Sequence, residues 1–199
     1  MEEKGNVLFP IFLKIDQLNL LVVGGGNVGE EKLEALLKNN PEANVTVVSI
    51  DFKDEVRELA KKHPSIKLIH RAFEESDLDD AEVAILATAD REVNREIKVL
   101  AKKRKVLTNV ADTPDLCDFY LGSTVKKGDL KIGISTNGKS PTFAKRFRQV
   151  LEEILPEQTD ELLQNLRIIR DKLKGDFSYK VEKLNEVTAS LVDKDLKKK

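Results

Sequence analysis

The chain is 199 residues long and 40% hydrophobic, with 34 Lys and Arg against 35 Asp and Glu. That length suits one large domain, or a nucleotide-binding domain with a smaller appendage, and can bury a sizeable core. A net charge of −1 removes the electrostatic case for a dedicated nucleic-acid binder. No apolar run approaches the about 18 residues of a membrane-spanning helix. The only cysteine, Cys117, can form no intrachain disulfide and fits a reducing, cytoplasmic compartment. The start, MEEKGNVLFPIF, is acidic before a short apolar stretch and does not read as a secretory signal.

From Leu18 the run LNLLVV is stopped by Gly24-Gly25-Gly26 and followed by a helical pattern carrying Leu33, Leu36 and Leu37. A continuous apolar run predicts a strand buried on both faces, as in a parallel sheet. Asn44 to Val48 predicts a second strand, Phe52 to Lys62 a helix ended by His63-Pro64, and Ile66 to Ile69 a weaker third strand. Val83 to Ala87 predicts a fourth strand and Arg91 to Arg104 a helix with Val93, Ile97, Leu100 and Ala101 on one face. Val106 to Val110 predicts a fifth strand. The alternation predicts an α/β fold with right-handed crossovers, a Rossmann-like doubly wound parallel sheet.

The pattern then changes. Phe119 to Val125 and Leu130 to Thr136, joined through Lys126-Lys127-Gly128-Asp129, predict a hairpin. Ser140 suits an N-cap and Pro141 the first position of a helix ended by Pro156, with Phe143, Phe147, Val150, Leu151 and Ile154 on one face. Leu162, Leu166, Ile169 and Leu173 mark a second helix. Val181, Leu184, Val187 and Leu191 mark a third after Gly175, and Lys197-Lys198-Lys199 reads as a frayed end. The expected division is a nucleotide-binding domain over 1–113, a hairpin region over 114–140 and a helical domain over 141–199.

Gly24-Gly25-Gly26-Asn27-Val28-Gly29 satisfies G-x-G-x-x-G directly after a strand and before a helix. Glycines there permit the tight turn, close approach of a pyrophosphate and close helix–strand packing, while the helix N-terminus offers N–H groups to phosphate. In a β-α-β context the pattern predicts dinucleotide binding rather than a purely structural turn. Asp51, just past the second strand, can accept hydrogen bonds from an adenosine ribose or cap the next helix; both readings stand. No arginine is its sequence neighbour for a 2′-phosphate, which favours NAD over NADP.

Two further groups stand out. Asn109-Val110-Ala111-Asp112 ends the fifth strand, where open α/β sheets collect ligands, so Asp112 is a candidate reacting group or a cap before Thr113-Pro114. Ile134-Ser135-Thr136-Asn137-Gly138-Lys139-Ser140-Pro141 follows the hairpin, with Lys139, Lys145, Arg146 and Arg148 either anchoring anions or forming a solvated face. With Phe9-Pro10-Ile11-Phe12, GGGNVGEEK, ATADREVN, NVAD, Leu116-Cys117-Asp118-Phe119 and ISTNGKSP in this order, the chain resembles the siroheme-synthase dehydrogenase/ferrochelatase family over about residues 8–155. It departs from the family's common pattern at Glu31-Lys32, Ala89-Asp90 and Thr136.

The resemblance implies oxidation of precorrin-2 to sirohydrochlorin with NAD as hydride acceptor, in the short form without a methyltransferase domain. It implies Asp112 as the catalytic residue, and nucleotide contacts at Gly24, Gly26, Asn27, Val28, Gly29, Ile50, Asp51 and Thr88. Tetrapyrrole contacts are expected at Thr136, Asn137, Lys139, Ser140 and Arg146. An intertwined homodimer joined through the hairpin region is also implied, with neither nucleic acid nor membrane as partner. His63 and His70 flank the weak third strand and no Cys/His cluster has metal-ligand spacing, so no tightly bound metal is expected. Two alternatives remain: an enzyme that also inserts ferrous iron into sirohydrochlorin, and a non-enzymatic NAD sensor that has no need of Asp112.

Overall fold

The computed structural model describes residues 5–189, so Leu191 and the lysines at 197–199 lie outside the described residues. Contacts divide the chain into two compact units, one over Val7–Leu121 and one joining the N-terminal end through Asn6 to the chain from Gly122 onward.

The first unit contains β1 (Leu20–Gly25), α1 (Asn27–Asn39), β2 (Val45–Phe52), α2 (Asp54–Lys62), β3 (Ile66–His70), β4 (Val83–Leu86), α3 (Arg91–Lys103) and β5 (Leu107–Val110). Its strands are all parallel, as the sequence predicts, and pair in the order β3-β2-β1-β4-β5. The buried runs explain the doubly wound arrangement. Successive strand side chains point to opposite faces. Leu20 and Val22 therefore pack with Leu33, Leu36, Leu37 and Val56 of α1 and α2, while Leu21 and Val23 pack with Ile97 and Ala101 of α3. The connection from β3 to β4 carries only a 3₁₀ turn, Glu75–Leu78, whose Leu78 is buried on the α3 face.

Two differences from the predicted boundaries bear on the site. Strand β2 runs to Phe52 and α2 begins at Asp54, because Phe52 still pairs with Gly25 and the Lys53 N–H donates to the Gly25 carbonyl at 3.0 Å. The first hairpin strand, β6, spans Ser123–Lys127 rather than starting at Phe119. Residues before it are drawn to β5 instead: the Asn109 carboxamide donates to the Phe119 carbonyl at 2.9 Å.

In the second unit β6 pairs antiparallel with β7 (Leu130–Ile134), and α4 (Pro141–Ile154), α5 (Thr159–Lys172) and α6 (Phe177–Thr188) follow. Gly128 turns the hairpin at φ +53°, and a Cβ there would run into the Asp160 side chain. Asp160 in turn accepts the Asp129 N–H at 2.9 Å. Ser140 caps α4 as predicted, accepting the Phe143 N–H at 3.1 Å. No helix among the described residues is long and apolar enough to cross a membrane.

Leu33 is fully buried between α1 and the sheet. Truncation there removes its packing and leaves a cavity, so Leu33→Ala is expected to lower the unfolding free energy of the first unit by about 2–5 kcal/mol in a denaturant titration.

Candidate active site at the carboxyl edge of the parallel sheet

The chain leaves β1 toward β2 and leaves β4 in the opposite direction toward β5. In doubly wound sheets such a reversal marks the place, at the carboxyl ends of the two central strands, where ligands bind; here those strands are β1 and β4. The glycines divide the work there. Gly24 has φ +114°, and a Cβ on it would strike the Ala87 carbonyl beyond β4. A Cβ on Gly29 would strike the Gly24 carbonyl, so α1 lies hard against the turn. Gly26 faces open space: a Cβ added there would meet nothing within 4 Å.

The α1 N-terminus carries no side-chain cap, whereas α3 is capped by its own Asp90, which accepts the N–H groups of Glu92 at 2.8 Å and Val93 at 3.3 Å. A tight turn, an open approach and uncapped N–H groups fit a dinucleotide pyrophosphate. Asn27 is exposed beside Gly26, and Val28 is half-buried.

The end of β2 is stitched to this turn. Ser49 Oγ accepts the Gly25 N–H at 2.9 Å, and Lys53 Nζ reaches Glu30 on α1 at 2.5 Å. The Glu30 hydrogen bond holds the Lys53 ammonium above its usual range. Ile50 is exposed, its carbonyl 2.8 Å from His70 Nε2. Asp51 is not the cap of α2; that position is Lys53. Its carboxylate accepts the Phe52 N–H at 2.8 Å and is 87% exposed, as a ribose acceptor needs to be. The chain neighbours of Asp51 hold no arginine, yet the first turns of α2 bring one to it: Arg57 Nη2 lies 3.7 Å from Asp51 Oδ1. Thr88 follows β4, its hydroxyl 2.8 Å from the buried Asn94 side chain, which donates back to the Thr88 carbonyl at 3.1 Å. Asn94 was not singled out by the sequence reading; a polar residue on the apolar face of α3 was its only signal.

Asp112 sits just beyond β5 at φ +55°, exposed, and no hydrogen bond or ion pair engages its carboxylate among the described residues. It does not cap the following 3₁₀ turn, Pro114–Leu116, whose N-cap is Thr113. Two strand spacings separate β5 from β1, so Asp112 and the glycine turn share one sheet edge about 10 Å apart.

The loop bearing Asp112 is clasped at its base. Asp118 accepts the Thr108 N–H and hydroxyl, both at 2.9 Å, and Lys98 Nζ at 2.5 Å. Cys117 Sγ accepts the Val110 N–H and donates to the Val110 carbonyl, both at 3.2 Å. Burial pushes the Cys117 thiol up, so it stays protonated as that donor. Burial also works to raise the Asp118 carboxyl, but the Lys98 and Thr108 hydrogen bonds outweigh it and hold it below the ordinary carboxylate range.

Thr136, Asn137, Lys139, Ser140 and Arg146 belong to the second unit. There Thr136 Oγ1 accepts the Ser140 N–H at 3.2 Å, and Asn137 turns the chain at φ +53°. Lys139 N–H bonds the Thr136 carbonyl at 3.0 Å, and Arg146 reaches Gln149 at 3.4 Å. Arg148 lies 3.7 Å from Glu152 on the same helix. Among the described residues no group of three or more His, Cys, Asp or Glu is arranged to hold a metal ion.

The fold and the turn define a dinucleotide-binding α/β protein. Two family descriptions match the chain: Putative NAD(P)-binding over residues 11–123, and Sirohaem biosynthesis protein central over 127–154. Siroheme synthase of Nitrosomonas europaea is 35% identical over 170 residues, covering 85% of this chain and 35% of that protein. Siroheme synthase of Pseudoalteromonas atlantica is 36% identical over 85% of this chain and 36% of its own length. The chain thus spans about a third of the length of these curated relatives. A solved structure described as SirC, precorrin-2 dehydrogenase, superposes with a TM-score of 0.74 at 25% identity, covering 94% of this chain and 90% of that one. The chain belongs to the putative NAD(P)-binding family found in siroheme synthases.

Gly26→Ala and Gly29→Ala separate binding from folding. A methyl at position 26 meets open space and is expected to keep the thermal midpoint while weakening NAD+ binding at least about tenfold in calorimetry. A methyl at position 29 drives α1 off the turn and is expected to lower the midpoint itself.

The clasp gives a pH signature. A carboxyl lowered in the folded state stabilises above its ordinary pKa, and that contribution is lost as the pH falls through the lowered value. Asp118→Asn is expected to cost about 1 kcal/mol near neutral pH, discounted for the carboxylate's partial exposure. The gap from the parent is expected to close as unfolding is measured below about pH 4.

Proposed function

We propose that the chain is an NAD-dependent dehydrogenase that oxidises precorrin-2 to sirohydrochlorin in siroheme synthesis, working in the cytoplasm. The observation that carries this reading is the exposed Asp112 carboxylate, unpaired among the described residues, on a left-handed turn at the sheet edge that also bears the dinucleotide turn. The names of its relatives, siroheme synthases and a precorrin-2 dehydrogenase, support the substrate.

The reaction removes one hydride and one proton from the tetrapyrrole. NAD, when bound, supplies the two-electron acceptor for the hydride. The α1 N–H groups and the open side of Gly26 hold the pyrophosphate. Asp51 accepts the ribose hydroxyls, which fixes the adenosine end along β2. Asp112 takes the proton: its carboxylate makes no competing bond among the described residues, and the clasp at Thr108 and Val110 fixes the loop that carries it. Thr136, Asn137, Lys139, Ser140 and Arg146 meet the substrate's carboxylates, with Lys139 and Arg146 supplying positive charge.

The protein acts as a homodimer joined through the hairpin region, with α4 of the same unit extending the interface. Support comes from Phe143, Phe147, Val150 and Ile154, which lie along one side of α4 and are all exposed, with the two Phe rings stacked 5.8 Å apart. An uncovered apolar stripe of this kind marks an association surface.

Two measurements test these assignments. Asp112→Ala is expected to reduce kcat for precorrin-2 by about 10²–10⁴-fold while NAD+ affinity, measured by calorimetry, stays at the parent value. Turnover retained in that variant contradicts the role of Asp112. Phe147→Glu is expected to shift the mass measured by light scattering from dimer to monomer; an unshifted dimer places the interface elsewhere.

A further inference from the structure

The cations that follow β2 are not equivalent. Lys53 is held by Glu30 at 2.5 Å and Lys61 by Glu58 at 2.6 Å, each paired with a carboxylate elsewhere on the helices. Arg57 instead pairs with Asp51, the residue placed to read the adenosine ribose, at 3.7 Å. Its guanidinium carbon also lies 5.5 Å from the centroid of the Phe52 ring, a cation–π contact, and that ring is buried and packed against the glycine turn. Both side chains of the pair are open to solvent, Arg57 at 41% and Asp51 at 87%, so neither is locked into the protein interior.

A guanidinium beside the end of the second strand is the group that accommodates an adenosine 2′-phosphate in this fold, and its planar fork suits phosphate oxygens. A carboxylate at that place does the opposite: it accepts the free 2′-hydroxyl and repels a phosphate. Here the two groups lie 3.7 Å apart with opposite charges.

We infer that Arg57 is a latent 2′-phosphate anchor whose guanidinium Asp51 keeps occupied. Asp51 thereby disfavours NADP twice, through its own charge and by holding Arg57. Removing the Asp51 charge frees Arg57 to meet the phosphate, with the cation–π contact to Phe52 keeping the guanidinium near the end of β2. The inference rests on the dinucleotide reading of the glycine turn and adds to it the residue that decides which dinucleotide is taken.

The test is calorimetric binding of NAD+ and NADP+ to the full chain and to the variants D51N and D51N/R57M, with thermal unfolding verifying that each is folded. The parent is expected to bind NAD+ more tightly than NADP+. D51N is expected to bind NADP+ at least about tenfold more tightly than the parent does, and D51N/R57M to lose about tenfold again. NAD+ binding by the parent with no gain of NADP+ affinity in D51N overturns this inference alone, as does equal NADP+ affinity in D51N and D51N/R57M. A parent that binds neither nucleotide overturns the dinucleotide reading and this inference with it.

Discussion

Strand β1 and helix α1 meet so closely that a side chain at Gly29 would overlap the carbonyl of Gly24, and a side chain at Gly24 would overlap the carbonyl of Ala87. This backbone-to-backbone approach brings the α1 N-terminus directly over the ends of β1 and β4. Had either position carried a Cβ, the helix would stand off the sheet and its N–H groups would no longer lie over those strand ends. The buried leucines and valines on both faces supply the energy that holds this contact closed.

Around that contact the polar groups fall into two sets. Ser49 and Asn94 bond the backbone of the turns at this sheet edge, while the exposed carboxylates of Asp90 and Asp118 bond the first N–H groups of α3 and the Thr108 N–H of β5. Asp112 and the uncapped N–H groups of α1 are left facing outward. The first set ties the loops to the strands and helices, and the second is what remains for a ligand. Asp51 stands between the sets, bonded to its own neighbour Phe52 and to Arg57 yet almost wholly exposed.

The apolar runs alternating with helical patterns made the doubly wound parallel sheet legible, since a run such as Leu20 to Val23 is buried on both faces there; the order of the strands across the sheet was not. The glycine pattern was legible for the same kind of reason: each glycine answers to a distinct steric demand. What the sequence concealed depends on groups far apart along the chain. Lys98, Thr108 and Asp118 form one cluster across ten to twenty positions, and no local period announces it. Arg57 lies six residues from Asp51, outside the strand end where a 2′-phosphate reader was sought, and only the first turns of α2 bring it back. The start of β6 was misplaced because Phe119 is apolar and looks like strand, while a side chain of β5 captures its carbonyl.

Catalysis as proposed requires that dinucleotide and tetrapyrrole be bound together. Anaerobic incubation of the full chain with precorrin-2 and NAD+, with reduced nicotinamide and sirohydrochlorin followed at once by absorbance, measures this directly. The two products are expected to appear in equal amounts and to stop together when either reactant is exhausted. Sirohydrochlorin formed at an unchanged rate without NAD+, or no sirohydrochlorin with both reactants present, would contradict it.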